Sequence, residues 1–383
     1  MSRIYLDWAA SAPATEAALD SFTRIAATNY GNPSSLHYEG KAAAALLSAA
    51  RSAVASSLGI SQNRVYFTSG GTESCQIPLL SLLRKQHSEK TTILVSAIEH
   101  PAIFNQCTVL AEAGFTVKTI PTTSIGRVEA EKLARLLDTS VALVAIMAVN
   151  NETGIIQDMD TIAEVIKNSA GRKPFILCDT VQTAGKIPLN FDLDWIDAYT
   201  LSSHKLGGLR GAGALILRKP LQVLALGGGQ EQGLRSGTEN IAAIQALAMA
   251  LAESMQQLPQ NHAAAAALMG QLISGLRSIP GVCILPEERG AKDERFSPYI
   301  VNAAFPGLVG ETFLRILDDH GIAVSTGSAC SGSGKKRRVL QAMQVPVAQA
   351  QSSIRISIGS STSPAEIDRF LEIAQAQYQR YRT

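Results

Sequence analysis

Cysteine is scarce: the 383-residue chain holds five, scattered and without a CxxC pair. An odd, unpaired set argues against a disulfide framework and against a zinc site, so no metal is expected. Long apolar runs are missing too; none reaches the roughly 18 residues of a membrane span. Met1 to Asp7 lack the basic start and apolar core of a signal peptide, which makes a cytoplasmic protein with reduced thiols the expectation. Charge of one sign is also missing. Net charge is +2, so neither direct nucleic-acid binding nor a membrane role follows from it. The glycine turn at 68–74 carries neither Gly-Lys-Ser/Thr nor Gly-x-Gly-x-x-Gly, which weakens a nucleotide reading.

What the chain has is length and apolar material. Apolar residues make up 46% of it, enough for more than one core, and 383 residues exceed what one core usually serves. We expect a large domain over 15–256 and a smaller domain built from 1–14 and 257–383. β-rich runs at 65–67, 92–96, 116–120, 141–148, 175–178, 198–201 and 212–217 alternate with helix-length segments at 73–86, 101–113, 130–137 and 158–168. Such alternation predicts an α/β fold with a mostly parallel sheet between helices, and ligands beyond the carboxyl ends of the strands. Long Ala-rich helices are expected over 239–258 and 261–278, and the domain boundary is expected within this helical region, near residue 256.

Polar residues gather at those strand ends. Ser202, His204 and Lys205 follow one apolar strand and precede another, where a desolvated lysine becomes a nucleophilic amine. Thr68-Ser-Gly-Gly-Thr-Glu-Ser74 reads as strand, glycine turn and helix start, a place where free N–H groups of Gly71 and Thr72 meet an anion. Asp179 leaves a buried strand and needs a cationic partner, with Gln182 three residues on. His100 stands before Pro101 at a helix start. Asn151, in Asn150-Asn-Glu-Thr-Gly154, is placed to hydrogen-bond a ligand.

These blocks and others, in order, resemble the cysteine desulfurases, NifS/IscS-like members of the pyridoxal-phosphate-dependent class V aminotransferase superfamily of fold type I. The likeness rests on Tyr5-Leu-Asp-Trp-Ala-Ala10, Gly31-Asn-Pro-Ser-Ser35, Thr68–Ser74, Glu99-His100, Val149–Gly154, Asp179-Thr-Val-Gln-Thr-Ala-Gly-Lys186 and Ser202–Lys205. Later come Gly227-Gly-Gly-Gln-Glu-Gln-Gly-Leu-Arg-Ser-Gly-Thr238, Ser328-Ala-Cys330 and Ser352-Ser-Ile-Arg355. The resemblance implies pyridoxal 5′-phosphate as cofactor, with Lys205 as its Schiff-base lysine. It pairs Asp179 with the ring nitrogen and Gln182 with the ring hydroxyl, stacks His100 on the ring as a proton shuttle, and gives Asn151 a place at the cofactor and substrate. Gly71, Thr72, Ser202 and His204 hold the phosphate on this reading. Thr238 reaches the phosphate of a neighbouring subunit, which implies a homodimer, and Arg355 clamps the carboxylate of the substrate, L-cysteine.

Cys330 lies in Ser325-Thr-Gly-Ser-Ala-Cys-Ser-Gly-Ser-Gly334, a run of small residues with the composition of a mobile loop. An exposed thiol there favours function, and the resemblance makes it the nucleophile that takes sulfur from cysteine, releases L-alanine and hands a persulfide to an acceptor protein. Iron–sulfur cluster assembly or tRNA thiolation is the implied destination. Lys335-Lys-Arg-Arg338 is either a solvated basic face or a docking patch for an acidic acceptor. The chain departs from the family pattern at Cys75-Gln76, where Asn-rich sequence is usual, and after Cys330, where Leu-Glu-Pro is missing. Two rivals stay open: a selenocysteine lyase or small-molecule aminotransferase of the same superfamily, and a non-catalytic sulfur-relay scaffold.

Overall fold

A computed structural model describes residues 3–85, 91–169, 173–327 and 337–382. The chain opens with a two-residue strand, β1 (Ile4–Tyr5), and two helices, α1 (Glu16–Thr28) and α2 (Tyr38–Leu58). His37 caps α2 by accepting from Gly40 N, and Gly59 ends it in the left-handed region at φ 67°. Strand β2 (Val65–Thr68) then runs into α3 (Gly71–Ser81). Pro78 interrupts the hydrogen bonding of α3, which ends at Ser81 and tightens into a 3₁₀ turn over Leu82–Lys85, short of the expected residue 86.

Strands and helices alternate from there: β3 (Thr92–Ser96), α4 (Pro101–Glu112), β4 (Thr116–Ile120), α5 (Ala130–Leu136), β5 (Val141–Met147), α6 (Met159–Lys167) and β6 (Phe175–Asp179). Two further strands, β7 (Ala198–Ser202) and β8 (Gly213–Leu217), complete a seven-stranded sheet in the order β2-β8-β7-β6-β5-β3-β4. Its core from β4 to β7 is parallel, while β8 runs antiparallel to both its neighbours, β7 and β2. The mostly parallel α/β expectation holds. Both faces are covered, so side chains alternate between two cores: Val144 and Ile146 of β5 face one layer, Leu143 and Ala145 the other.

The Ala-rich helices α7 (Ile241–Gln256) and α8 (Leu258–Ser278) meet at Gln257. Beyond them β9 (Cys283–Leu285), β10 (Ile300–Ala304) and α9 (Gly310–Asp319) lead to β11 (Ile322–Ala323). After α10 (Arg338–Ala342) and α11 (Val347–Gln351) come β12 (Ser353–Ser357) and α12 (Pro364–Tyr381). A three-stranded antiparallel sheet, β12-β10-β9, packs with α8, α9 and α12 around Ile273, Phe313, Ile356 and Phe370. Ile4, Leu6 and Ala9 belong to that same core, because β1 pairs in parallel with β11. The amino-terminal segment then runs back to the large sheet: Ala12 N donates to His204 O and Thr15 N to Gly207 O. It is a strap joining the two sheets. Among the described residues no helix is long and apolar enough to cross a membrane.

Candidate active site

The sheet reverses its winding between β3 and β5, and a cleft opens at the carboxyl ends of the strands there. It holds a cavity of about 460 Å³. Sequence dictates the end of the cavity at the start of α3. Gly70, at φ 157° and ψ −179°, turns the chain from β2 into α3 in a conformation essentially reserved for glycine. A Cβ on Gly71 would come within 2.8 Å of Val181 Cγ2 and 3.3 Å of Ser202 Cβ, so the turns after β6 and β7 press against this helix start. Gly70 supplies no side-chain cap, and the first-turn N–H groups of α3 lack intrahelical acceptors. Thr72, Ser202, His204 and Arg210 line the same end.

Lys205 stands at the end of the β7 turn, where its Nζ donates to Ala9 O at 2.6 Å and to Ala10 O at 2.7 Å. Both acceptors belong to the strap. Asp179, at the last position of β6, is buried, and its Oδ1 accepts from Val181 N and Thr200 Oγ1 at 2.9 Å each. Among the described residues no ion pair meets this carboxylate. Gln182 is buried beside it and donates from Nε2 to Ala9 O at 2.9 Å.

His100 caps α4, accepting from Ala102 N at Nδ1 over 3.1 Å. With that lone pair in use, the neutral ring carries its proton on Nε2. Burial lowers the ring's pKa below its ordinary 6.5; Asp179 opposes the shift, and Lys205, Arg338 and Arg355 reinforce it. Protonation would also cost the helix cap. His100 is therefore a neutral donor at neutral pH.

Burial, with Lys205, Arg210 and Lys186 nearby, takes His204 from 6.5 down to about 4. The unfolded chain takes up this proton near pH 6.5 and the folded chain only near pH 4, so within that window the unfolded state binds more protons and stability falls as pH drops. An anion held beside His204 raises its folded pKa and narrows the window. We predict that the melting temperature of the ligand-free protein falls between about pH 6.5 and about pH 4, and that added inorganic phosphate reduces the fall. Thermal melts with and without phosphate check it; identical pH profiles contradict it.

Arg355 lies buried in β12. Its NH2 pairs with Asp7 Oδ1 at 2.8 Å and its NH1 donates to Asn151 O at 2.9 Å, while its buried Nε has no hydrogen-bond partner among the described residues. The guanidinium thus keeps donors for a further acceptor and is held in place by the strap on one side and the β5 turn on the other.

Lys205, Asp179, His100, Gly71, Thr72, Asn151, Gln182, Ser202, His204 and Arg355 all line the one cavity. Thr238 does not line it; its side chain is exposed elsewhere on the chain. Cys330 lies outside the described residues, as do Lys335 and Lys336. Gly327, three residues before Cys330, lines the cavity. The two described members of the basic run, Arg337 and Arg338, are packed rather than solvated. Arg337 donates to Ser353 O, and Arg338 donates to Ala97 O and Glu99 O while stacking on Phe104 at 4.0 Å. Both guanidinia are thus engaged with backbone carbonyls.

Sequence reasoning assigned no role to the strap residues Asp7, Ala9 and Ala10, or to Lys186. The signal was present, since these positions fall inside two of the blocks that carried the family resemblance. Their parts depend on backbone carbonyls and on a partner distant in sequence, neither of which a motif displays.

Residues 4–370 match the class-V aminotransferase family. The chain is 35% identical to the cysteine desulfurase NifS of Azotobacter vinelandii, over 97% of this chain and 91% of that protein. It is 33% identical to the cysteine desulfurase IscS of Methanosarcina thermophila, over 99% of this chain and 93% of that protein. A solved NifS-like protein superposes with a TM-score of 0.91 at 34% identity, covering 99% of this chain and 100% of that one.

Proposed function

The chain belongs to the class-V aminotransferase family, among its NifS/IscS-like cysteine desulfurases, and we propose that it moves the sulfur of L-cysteine onto Cys330, releases L-alanine and passes the persulfide to an acceptor protein. The observation that carries this reading is one cavity that gathers an amine, a buried carboxylate, a neutral histidine and an anion-binding helix start, with the chain leading to a thiol leaving from its wall.

The residues fit pyridoxal 5′-phosphate. A buried carboxylate such as Asp179 is costly unless a cation meets it, and a protonated pyridine nitrogen is that cation. The start of α3 with Thr72, Ser202 and His204 suits a phosphate. When bound, the cofactor supplies an aldehyde for an amine and a ring that withdraws electrons from the substrate's α-carbon. Lys205 is the amine that would hold it, with Gln182 at the phenolic oxygen and His100 on a ring face.

This chain's own residues do the rest. Arg355 binds the substrate carboxylate through the donors that Asp7 and Asn151 leave open. Lys205, once it leaves Ala9 O and Ala10 O, is an amine in the cavity wall that would serve as base toward the substrate's α-carbon. Gly327 lines the cavity, and three residues of chain span at most about 11 Å; on this reading Cys330 meets the substrate sulfur there. That sulfur forms a bond to Cys330 Sγ, the carbon–sulfur bond breaks, a proton goes to the carbon, and alanine leaves. Thr238 serves a second copy of the chain on this reading. Tyr30, Leu36 and Tyr38, close in sequence, are exposed at 81%, 86% and 82%, large apolar surface that a homodimer interface would cover.

An aminotransferase needs a 2-oxo acid to complete its cycle; the desulfurase does not. We expect alanine to accumulate from L-cysteine alone through many turnovers, and a strict need for added 2-oxo acid overturns the reading. We further predict that Arg355→Gln lowers kcat/KM for cysteine by about a hundredfold, mainly through KM, because a buried charge-assisted clamp is lost. Steady-state kinetics checks the split; an effect confined to kcat contradicts the clamp.

A further inference from the structure

Lys186 lies on the turn after β6 and has no part in the chemistry above. Its Nζ donates to Gln182 Oε1 at 3.1 Å, and Gln182 Nε2 in turn donates to Ala9 O at 2.9 Å. Ala9 O also accepts from Lys205 Nζ at 2.6 Å. The chain of contacts therefore runs Lys186, Gln182, Ala9, Lys205. Lys186 and Lys205 both line a second cavity, of about 220 Å³, that adjoins the first.

The chemistry of the two ends fixes the buried amide of Gln182. A lysine nitrogen offers hydrogens, so the carbonyl oxygen must face Lys186; a backbone carbonyl only accepts, so the NH2 group must face Ala9. One N–H of Gln182 remains for the cavity. Ala9 O favours the same orientation at the NH2 end while also accepting from Lys205, and without Lys186 the Oε1 atom at the other end is left buried and unmet. Burial, with Lys205 and Arg355 nearby, brings the Lys186 amine down to about 7. Charged or neutral, it still donates.

We propose that Lys186 is a positioning residue for the cofactor, locking the Gln182 amide so that a hydrogen-bond donor rather than an acceptor faces the phenolic oxygen of pyridoxal phosphate. This rests on the reading of the cavity as the pyridoxal phosphate site. Lys186→Met keeps the volume and removes the donor. We expect it to weaken pyridoxal phosphate binding to the ligand-free protein about tenfold, the value of one buried hydrogen bond. In a Gln182→Ala background the same change costs at most about twofold, since the residue it acts through is gone. Lys186→Arg restores most of the affinity.

The readout is a binding titration followed by the visible absorbance of the bound cofactor, with thermal melts to show that each variant folds. Should Lys186→Met fail to fold, Lys186→Leu takes its place in the cycle. Equal losses in both backgrounds, or no loss in either, overturn the proposal. Failure of the unaltered protein to bind pyridoxal phosphate overturns the underlying reading instead.

Discussion

Replacing Cys330 with alanine lowers alanine release from L-cysteine by about a thousandfold or more, a size typical of losing a covalent nucleophile. Every other group that handles cysteine stays in place: Arg355 for the carboxylate, Lys205 and Asp179 for the cofactor, His100 at the cap of α4. The variant should therefore bind pyridoxal phosphate with unchanged absorbance and still bind cysteine. It should also keep a large part of its turnover of selenocysteine, whose better leaving group does not need the thiol. Full activity on cysteine in this variant removes the persulfide from the mechanism and favours the selenocysteine lyase alternative.

Lys205→Ala strikes the same cavity from the opposite side. It removes the amine that Ala9 O and Ala10 O hold at 2.6 Å and 2.7 Å. We expect the visible absorbance of bound pyridoxal phosphate to disappear and turnover to fall by about four orders of magnitude. Lys205→Arg tests the cause, because it keeps the charge and the carbonyl contacts yet supplies no nucleophile; it should be as inactive as alanine. A variant that keeps both colour and activity contradicts the assignment of Lys205, whatever cofactor is present.

The large sheet was legible because its strands obey a simple rule. A strand buried on both faces must be largely apolar, and 93–95, 141–148 and, but for Thr200, 198–201 are, with polar residues where each one ends. Glycines and a proline marked the turn into α3 and the start of α4, so the phosphate end and His100 were visible from local chemistry. The helices α1 and α2 were not marked. The second carries its buried Ala43, Leu47, Ala50, Val54 and Leu58 at helical spacing, but alanines and serines dilute the contrast between its faces. The strap was harder still. Its contacts to Lys205, Gln182 and Arg355 span between 173 and 348 residues of sequence, and two of them end on backbone carbonyls that any residue could supply. Arg337 and Arg338 misled for a related reason. A basic run looks solvated until the fold shows Phe104 and the carbonyls of Ala97, Glu99 and Ser353 waiting for it.

Sulfur transfer to Cys330 is tested most directly by incubating the purified protein, loaded with pyridoxal phosphate, with L-cysteine and no acceptor. The products to follow are free alanine and the mass of each cysteine-containing peptide under non-reducing conditions. We predict one alanine for each sulfur atom gained, with that gain on the Cys330 peptide and none on those of Cys75, Cys107 or Cys178, which are buried. Alanine formed while the Cys330 peptide keeps its original mass, or sulfur found on another cysteine instead, contradicts the account.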